Sequence, residues 1–217
     1  MSVETAPLQG ITLYSHVDDL RSHWIRYVLA EKQIKHHLIL VDEEEDEDLA
    51  SLNPYNQLPM LIENELKLFN TAIISEYLDD RYRQNKLYAD APMPRAEQRQ
   101  YIWRLQNDWL KLAEIILCHP DSLNKEAQQK AHKQLRDTLI SLTPLFQHFP
   151  YFMSEHFTIL DCMLAPIFLR LKAMHIELPL QHCRPIILYC QRIFNRPAFI
   201  KSLTLQEKNR YAKYITP

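Results

Sequence analysis

Ten residues, Asn53-Pro54-Tyr55-Asn56-Gln57-Leu58-Pro59-Met60-Leu61-Ile62, constrain the fold of this chain more than any other stretch. Asn-Pro opens a turn, and a second X-Pro leads straight into an apolar run. Proline cannot donate to a strand ladder, so Pro59 belongs at the mouth of a strand and not inside one. X-Pro is also the one dipeptide that takes the cis bond at modest cost, about 0.5–1 kcal/mol. Leu58-Pro59 therefore reads as a constrained bend through which a loop enters a sheet. Further on, Asn70-Thr71 is a polar pair that opens a helical pattern, with Thr71 expected as its capping hydroxyl.

The segments around this bend alternate in type. Ile11-Thr12-Leu13-Tyr14 and His37-Leu38-Ile39-Leu40-Val41 read as strands. Between them a helix is expected from Ser22, with Trp24, Ile25, Val28 and Leu29 at helical spacing. Strand, helix, parallel strand is a right-handed crossover unit. Met60-Leu61-Ile62 and Leu66-Lys67-Leu68-Phe69 follow as a hairpin around Glu63-Asn64-Glu65. A helix from Thr71 should then bury Ile73, Ile74, Tyr77, Leu78 and Tyr82. This order predicts an α/β domain of thioredoxin-like type over residues 1–83.

Periodicity stops over residues 84–94, where Pro92 and Pro94 punctuate a linker, and everything over 95–217 reads as an all-α domain. Tyr101, Ile102, Leu105, Trp109, Leu112, Ile115 and Ile116 make one long stripe. Leu135, Leu139, Leu142 and Phe146 make a second, which Pro144 should bend. Thr158 followed by Asp161 has the spacing of a capping box, in which each side chain satisfies an orphan N–H at a helix start. The helix it opens runs through Leu171 and is apolar all round, as expected of the centre of a bundle, with Pro166 kinking it.

Composition removes several function classes. The single glycine, Gly10, excludes the glycine-rich loops that cradle nucleotide phosphates. The cysteines Cys118, Cys162, Cys183 and Cys190 are scattered, so a zinc site, a dithiol centre or a disulfide framework is not expected, and the thiols read as reduced core residues. The ten histidines offer no helical pair at ligand spacing, and His36 and His37 point to opposite faces of a strand. No metal and no cofactor is expected. Without a leader or an apolar run long enough to span a bilayer, a cytoplasmic location and no membrane contact are expected.

The Leu58-Pro59 bend, the linker, the helical second domain and the Thr158-to-Asp161 box together resemble the glutathione transferase superfamily. Within it, Tyr27-Val28-Leu29-Ala30-Glu31-Lys32, Ser75-Glu76-Tyr77-Leu78-Asp79-Asp80-Arg81, Pro150-Tyr151-Phe152-Met153-Ser154 and Asp161-Cys162-Met163-Leu164-Ala165-Pro166 are similar to the bacterial stringent starvation protein A family. That resemblance implies an RNA polymerase-associated regulator of the starvation response, contacting holoenzyme and its sigma factor as a dimer and lacking transferase activity. The alternative is a glutathione-dependent transferase or peroxidase. The family carries a proline- and histidine-rich regulatory patch where this chain has Tyr82-Arg83-Gln84-Asn85-Lys86; the patch's side chains are not reproduced, and only its location carries over, making these five residues the partner-contact candidates. Superfamily dimers pair through the third helix and the first long bundle helix, here around Arg95, Arg99, Tyr101, Trp103 and Arg104. A homodimer is the default, with pairing to a paralogue as the variant seen in some members.

Transferase chemistry needs a hydroxyl or thiol near the end of the first strand to lower the pKa of the glutathione sulfur. Tyr14, Ser15 and Ser22 are the candidates, with Ser22 also expected to cap its helix. Asp18 and Asp19 lie in the intervening loop, where two anions would disfavour a thiolate. Leu58, Pro59, Asn70 and Thr71 thus read as a vestigial site with no catalytic residue.

Charge is unevenly distributed. Residues 42–48 are seven consecutive carboxylates, and residues 1–48 carry 11 acids against 4 bases, whereas the remainder carries 16 against 21. This asymmetry points to oriented association with a basic protein surface and argues against strong direct nucleic-acid binding.

Overall fold

The computed structural model describes residues 10–41, 53–117 and 125–215. The acidic run 42–48 and Cys118 lie outside them. Ile11 and Leu13, two apart on β1 (Ile11–His16), are both buried on one face, following the two-residue period of a strand. β2 (His36–Val41) pairs parallel with β1. On the other side β3 (Met60–Glu63) pairs antiparallel with β1, and β4 (Leu66–Leu68) antiparallel with β3, giving the order β2-β1-β3-β4.

The crossover between the parallel strands is α1 (Leu20–Glu31), in which every residue from Ser22 to Ala30 is buried. A helix buried all round needs neighbours on every side. α1 has them in β1, α2 (Thr71–Arg81), α6 (Ile159–Leu169) and α8 (Pro197–Ser202). The sequence differs from expectation at its start: Asp19, not Ser22, is the N-cap, accepting from the Arg21 and Ser22 amides. In α2 the buried positions are Thr71, Ile74, Ser75, Leu78 and Asp79, while Ile73, expected inside, is 56% exposed. One residue is a 100° step on a helix, which carries Ile73 off the face shared by Ile74 and Leu78.

In the second half, α3 (Pro92–Leu105) starts on a proline, which lacks only an N–H that a first helical turn leaves unpaired anyway. It continues through a π-helical turn, Gln106–Leu110, into α4 (Lys111–Leu117), burying Ile102, Leu105, Trp109 and Ala113. α5 (Lys125–Ser141) stops before Pro144 where a bend was expected, and a 3-10 turn, Thr143–Phe146, takes over. α6 is buried at all eleven positions, Pro166 included, and ends at Leu169, short of the expected Leu171. α7 (Arg184–Phe194), α8 and α9 (Leu205–Ile215) complete the bundle. One apolar cluster runs from Ile11 and Leu29 through Trp109 and Leu164 to Tyr189, so the sheet and the helical domain share a core. Cys162 and Cys183 are buried.

With one glycine in the chain, asparagine supplies several left-handed turns, at Asn56 (φ 46°), Asn64 (φ 55°) and Asn85 (φ 47°). Its short polar side chain tolerates that region better than most. Among the described residues no helix is long and apolar enough to cross a membrane.

Candidate functional site

Sheet register brings the separated sequence signals together. β3 runs against β1, with Met60 opposite Tyr14, so the bend entering β3 lies at the carboxyl end of β1. β4 runs against β3, and therefore its exit, Asn70 and Thr71, lies at that same end. The Leu58–Pro59 peptide is cis, and Pro59 is buried beneath a loop organised by Asn53. The Asn53 amide donates to the Gln57 carbonyl at 2.7 Å and its oxygen accepts from the Tyr55 amide at 2.9 Å. Asn70 caps α2, accepting from the Ala72 and Ile73 amides at 3.0 and 3.2 Å. This corrects the expected role of Thr71. Its hydroxyl is buried and accepts from the Gln106 side chain at 3.3 Å, leaving the cap to its neighbour.

The two serine hydroxyls near the end of β1 are hydrogen-bonded within the protein. Ser15 is buried; its Oγ donates to the His16 carbonyl at 3.0 Å and accepts from Arg26 Nη1 at 2.5 Å. Ser22 Oγ accepts from the His16 amide at 3.0 Å. Tyr14 packs against Val41 and Met60.

Behind them lies an ionic cluster that the sequence did not announce. Glu207 is fully buried, and its Oε1 receives Arg26 Nη2 at 2.6 Å and Arg170 Nη2 at 2.5 Å. Its other oxygen accepts from the Thr204 amide, while Thr204 Oγ1 accepts from the Glu207 amide, a second capping box at the start of α9. Arg170 also donates to Asp18 at 2.7 Å, and Arg210 reaches Asp18 at 2.6 Å. Burial works against the Asp18 carboxylate, but Arg170 and Arg210 outweigh it and hold its pKa below the usual range. Asp18 is therefore neutralised within the fold, and Asp19 serves as a helix cap. The expected pair of uncompensated anions facing a thiolate is not what this loop presents.

His23 sits inside the cluster. Ser202 Oγ donates to the Phe199 carbonyl, so it accepts from His23 Nε2, and His23 Nδ1 in turn accepts from Arg170. Burial, reinforced by Arg170 and Arg26, pushes the His23 pKa well down and keeps the ring neutral. Arg26 and His23 belong to α1, whereas Arg170, Ser202 and Glu207 belong to the helical half. The cluster is thus a polar seam between the two.

A third buried cation, Lys32, anchors the partner-contact candidates. Lys32 donates to Asp79 at 2.7 Å and to the carbonyls of Gln84 and Asn85 at 3.0 and 3.3 Å, which occupies all three of its protons. Asp79 also accepts from the Leu87 and Tyr88 amides. Tyr82 is fixed separately, by its hydroxyl on Glu63. Arg83, Gln84, Asn85 and Lys86 are exposed on a segment whose backbone is held from behind.

The Thr158–Asp161 box forms as expected. Asp161 accepts from the Thr158 amide at 2.8 Å, from the Phe152 amide at 2.9 Å and from the Tyr189 hydroxyl at 2.8 Å. Burial outweighs these donors and pushes its pKa up to about 6. Along α3, Arg95 and Arg99 are committed to Glu76 and Asp80 of α2, while Trp103 is 61% exposed. No cluster of three potential metal ligands occurs among the described residues.

Comparison with known proteins agrees with this geometry. The glutathione S-transferase N-terminal domain family matches residues 9–80. The stringent starvation protein A homolog of Haemophilus influenzae is 35% identical over 94% of this chain and 94% of its own length. That of Pasteurella multocida is 36% identical over 89% of this chain and 90% of its own. Among solved structures, Ure2p in complex with glutathione superposes with a TM-score of 0.78 at 16% identity, covering 92% of this chain and 95% of its own, a likeness of fold.

Proposed function

Because the chain belongs to the stringent starvation protein A family, within the glutathione transferase superfamily, we propose that it is a cytoplasmic stress-response regulator that binds RNA polymerase holoenzyme. It acts through contact with the sigma factor and without catalysis. The observation that supports the non-catalytic part is that Ser15 and Ser22 are both fully buried, with Ser15 donating to the His16 carbonyl. Lowering the pKa of a bound thiol requires a donor aimed at the sulfur; the Ser15 proton is already given to the His16 carbonyl, and Ser22 is enclosed in the fold. The exposed segment from Arg83 to Lys86, on its braced backbone, is the proposed partner contact. A homodimer, or pairing with a paralogue, is proposed around Tyr101, Trp103 and Arg104, supported by the exposure of Trp103.

One observation favours the alternative of a glutathione-dependent transferase or peroxidase: the cis Leu58–Pro59 bend and the capped start of α2 stand together at one end of the sheet. Two experiments separate the readings. Tagged protein isolated from cells at low salt should carry polymerase subunits, and their absence would sink the regulator. Glutathione at millimolar concentration should leave the melting temperature unchanged; a rise, with turnover of a general electrophile, selects the enzyme.

A further inference from the structure

α7 presents Arg184, Leu188 and Arg192 at intervals of four residues, the spacing that aligns side chains on one helix face. All three are exposed, Leu188 at 46%. They line an open groove of about 620 Å³ together with His148 and Phe149 after the 3-10 turn and His182 before α7. The buried Phe146 also lines it. Every titratable side chain on this lining is basic or a histidine, and none is acidic. Arg192 donates to the Pro150 carbonyl, which fixes its guanidinium at the groove while leaving further N–H groups of the fork available. Neither arginine is ion-paired with a carboxylate among the described residues. Phe149 adds a second exposed apolar group, at 40%.

We infer that this groove is a docking site for an acidic peptide segment of a partner protein, one in which carboxylates flank a leucine or phenylalanine. Charge complementarity selects the acidic partner, because two unpaired guanidiniums at opposite ends of the stripe suit carboxylates at two separated points. Leu188 lies between them and offers an apolar contact that a free anion would leave unused. The stripe is about 12 Å long at 1.5 Å per residue of helix, which matches about four residues of extended chain. A single phosphate would leave most of that length empty. The inference goes beyond the polymerase reading: it involves different residues, and its test needs no polymerase.

The test is fluorescence anisotropy of the full chain with labelled short peptides of Asp and Glu carrying one Leu and one Phe at varied spacing. Serine-for-apolar and lysine-for-acid versions serve as controls, with a short single-stranded oligonucleotide as competitor. At least one acidic peptide should bind, losing affinity as salt rises. The Arg184→Glu, Arg192→Glu double variant should lose about tenfold or more, and Leu188→Ser should lose severalfold. Both arginines are exposed, and an unchanged circular dichroism spectrum confirms folding; if the double variant melts early, Arg184→Gln alone should still weaken binding. The inference fails if no acidic peptide binds at millimolar concentration, if charge reversal leaves affinity unchanged, or if the oligonucleotide binds more tightly than every peptide.

Discussion

Two helices in the second half of the chain begin with the same device, Thr158-to-Asp161 on α6 and Thr204-to-Glu207 on α9, and the two carboxylates do different work. Asp161 is surrounded by neutral donors, all from the helical half: two amides and the hydroxyls of Thr158 and Tyr189. Glu207 takes the same position at its helix start but adds two arginines, one from α1 and one following α6. The first box secures one helix within its own domain. The second joins the sheet domain to the helical domain: in both boxes one carboxylate oxygen serves the cap and the other takes outside donors, but at Glu207 those donors are cations, one of them from α1.

The largest effect that would break this comparison is Glu207→Ala. It leaves Arg26 and Arg170 buried without their shared carboxylate, and should destabilise by about 3–5 kcal/mol in denaturant unfolding. A loss below 1 kcal/mol, the size of a simple cap, would mean the seam does not hold the domains. Asp161→Ala orphans four donors but no charge, and should destabilise by about 2–4 kcal/mol. If it proves costlier than Glu207→Ala, the ranking of the two boxes is reversed.

Titration sharpens the contrast through opposite signs. Asp161 is shifted up, from 3.8 to about 6. The folded state then holds its proton more tightly than the unfolded one, so its contribution is greatest below about pH 4 and falls as pH rises to about 6. Wild-type stability relative to Asp161→Asn should decline by about 1–3 kcal/mol across that window. Asp18, beside the Glu207 cluster, is shifted down from 3.8, so its contribution is present above that value and lost as pH falls further. Asp18→Asn should therefore flatten the acid limb of the stability curve, and an unchanged limb would remove Asp18 from the seam. The smallest effects belong to the threonines. Thr158→Val and Thr204→Val should each cost about 0.5–2 kcal/mol, with no marked difference between them.

The parts of the fold that sequence made legible are those written locally. Alternation placed β1, the Leu58–Pro59 bend followed from proline's missing donor, and the Thr158 box followed from spacing. Helix edges were harder to place: Asp19 caps where Ser22 was expected, and Asn70 where Thr71 was, because two polar neighbours compete and only backbone geometry decides. The seam was illegible for another reason. Arg26 and Glu207 are 181 residues apart, and an ion pair at that distance leaves no local pattern. Glu207 did carry a signal, since Thr204-Leu205-Gln206-Glu207 repeats the capping-box spacing, but a box says nothing about which cations will find its carboxylate.

Lys32 bears on how a search for the partner surface must be designed. Its ammonium is invisible from outside, yet it supports the carbonyls of Gln84 and Asn85 from within. If residues 83–86 form the partner contact proposed above, a random screen for lost association should recover Lys32 and Asp79 alongside Arg83 and Lys86, and a map drawn from such hits would place the contact partly inside the protein. Grafting side chains at 83–86 while keeping Lys32 would separate recognition from support, and on that proposal those four positions are where a different partner could be written onto the same backbone.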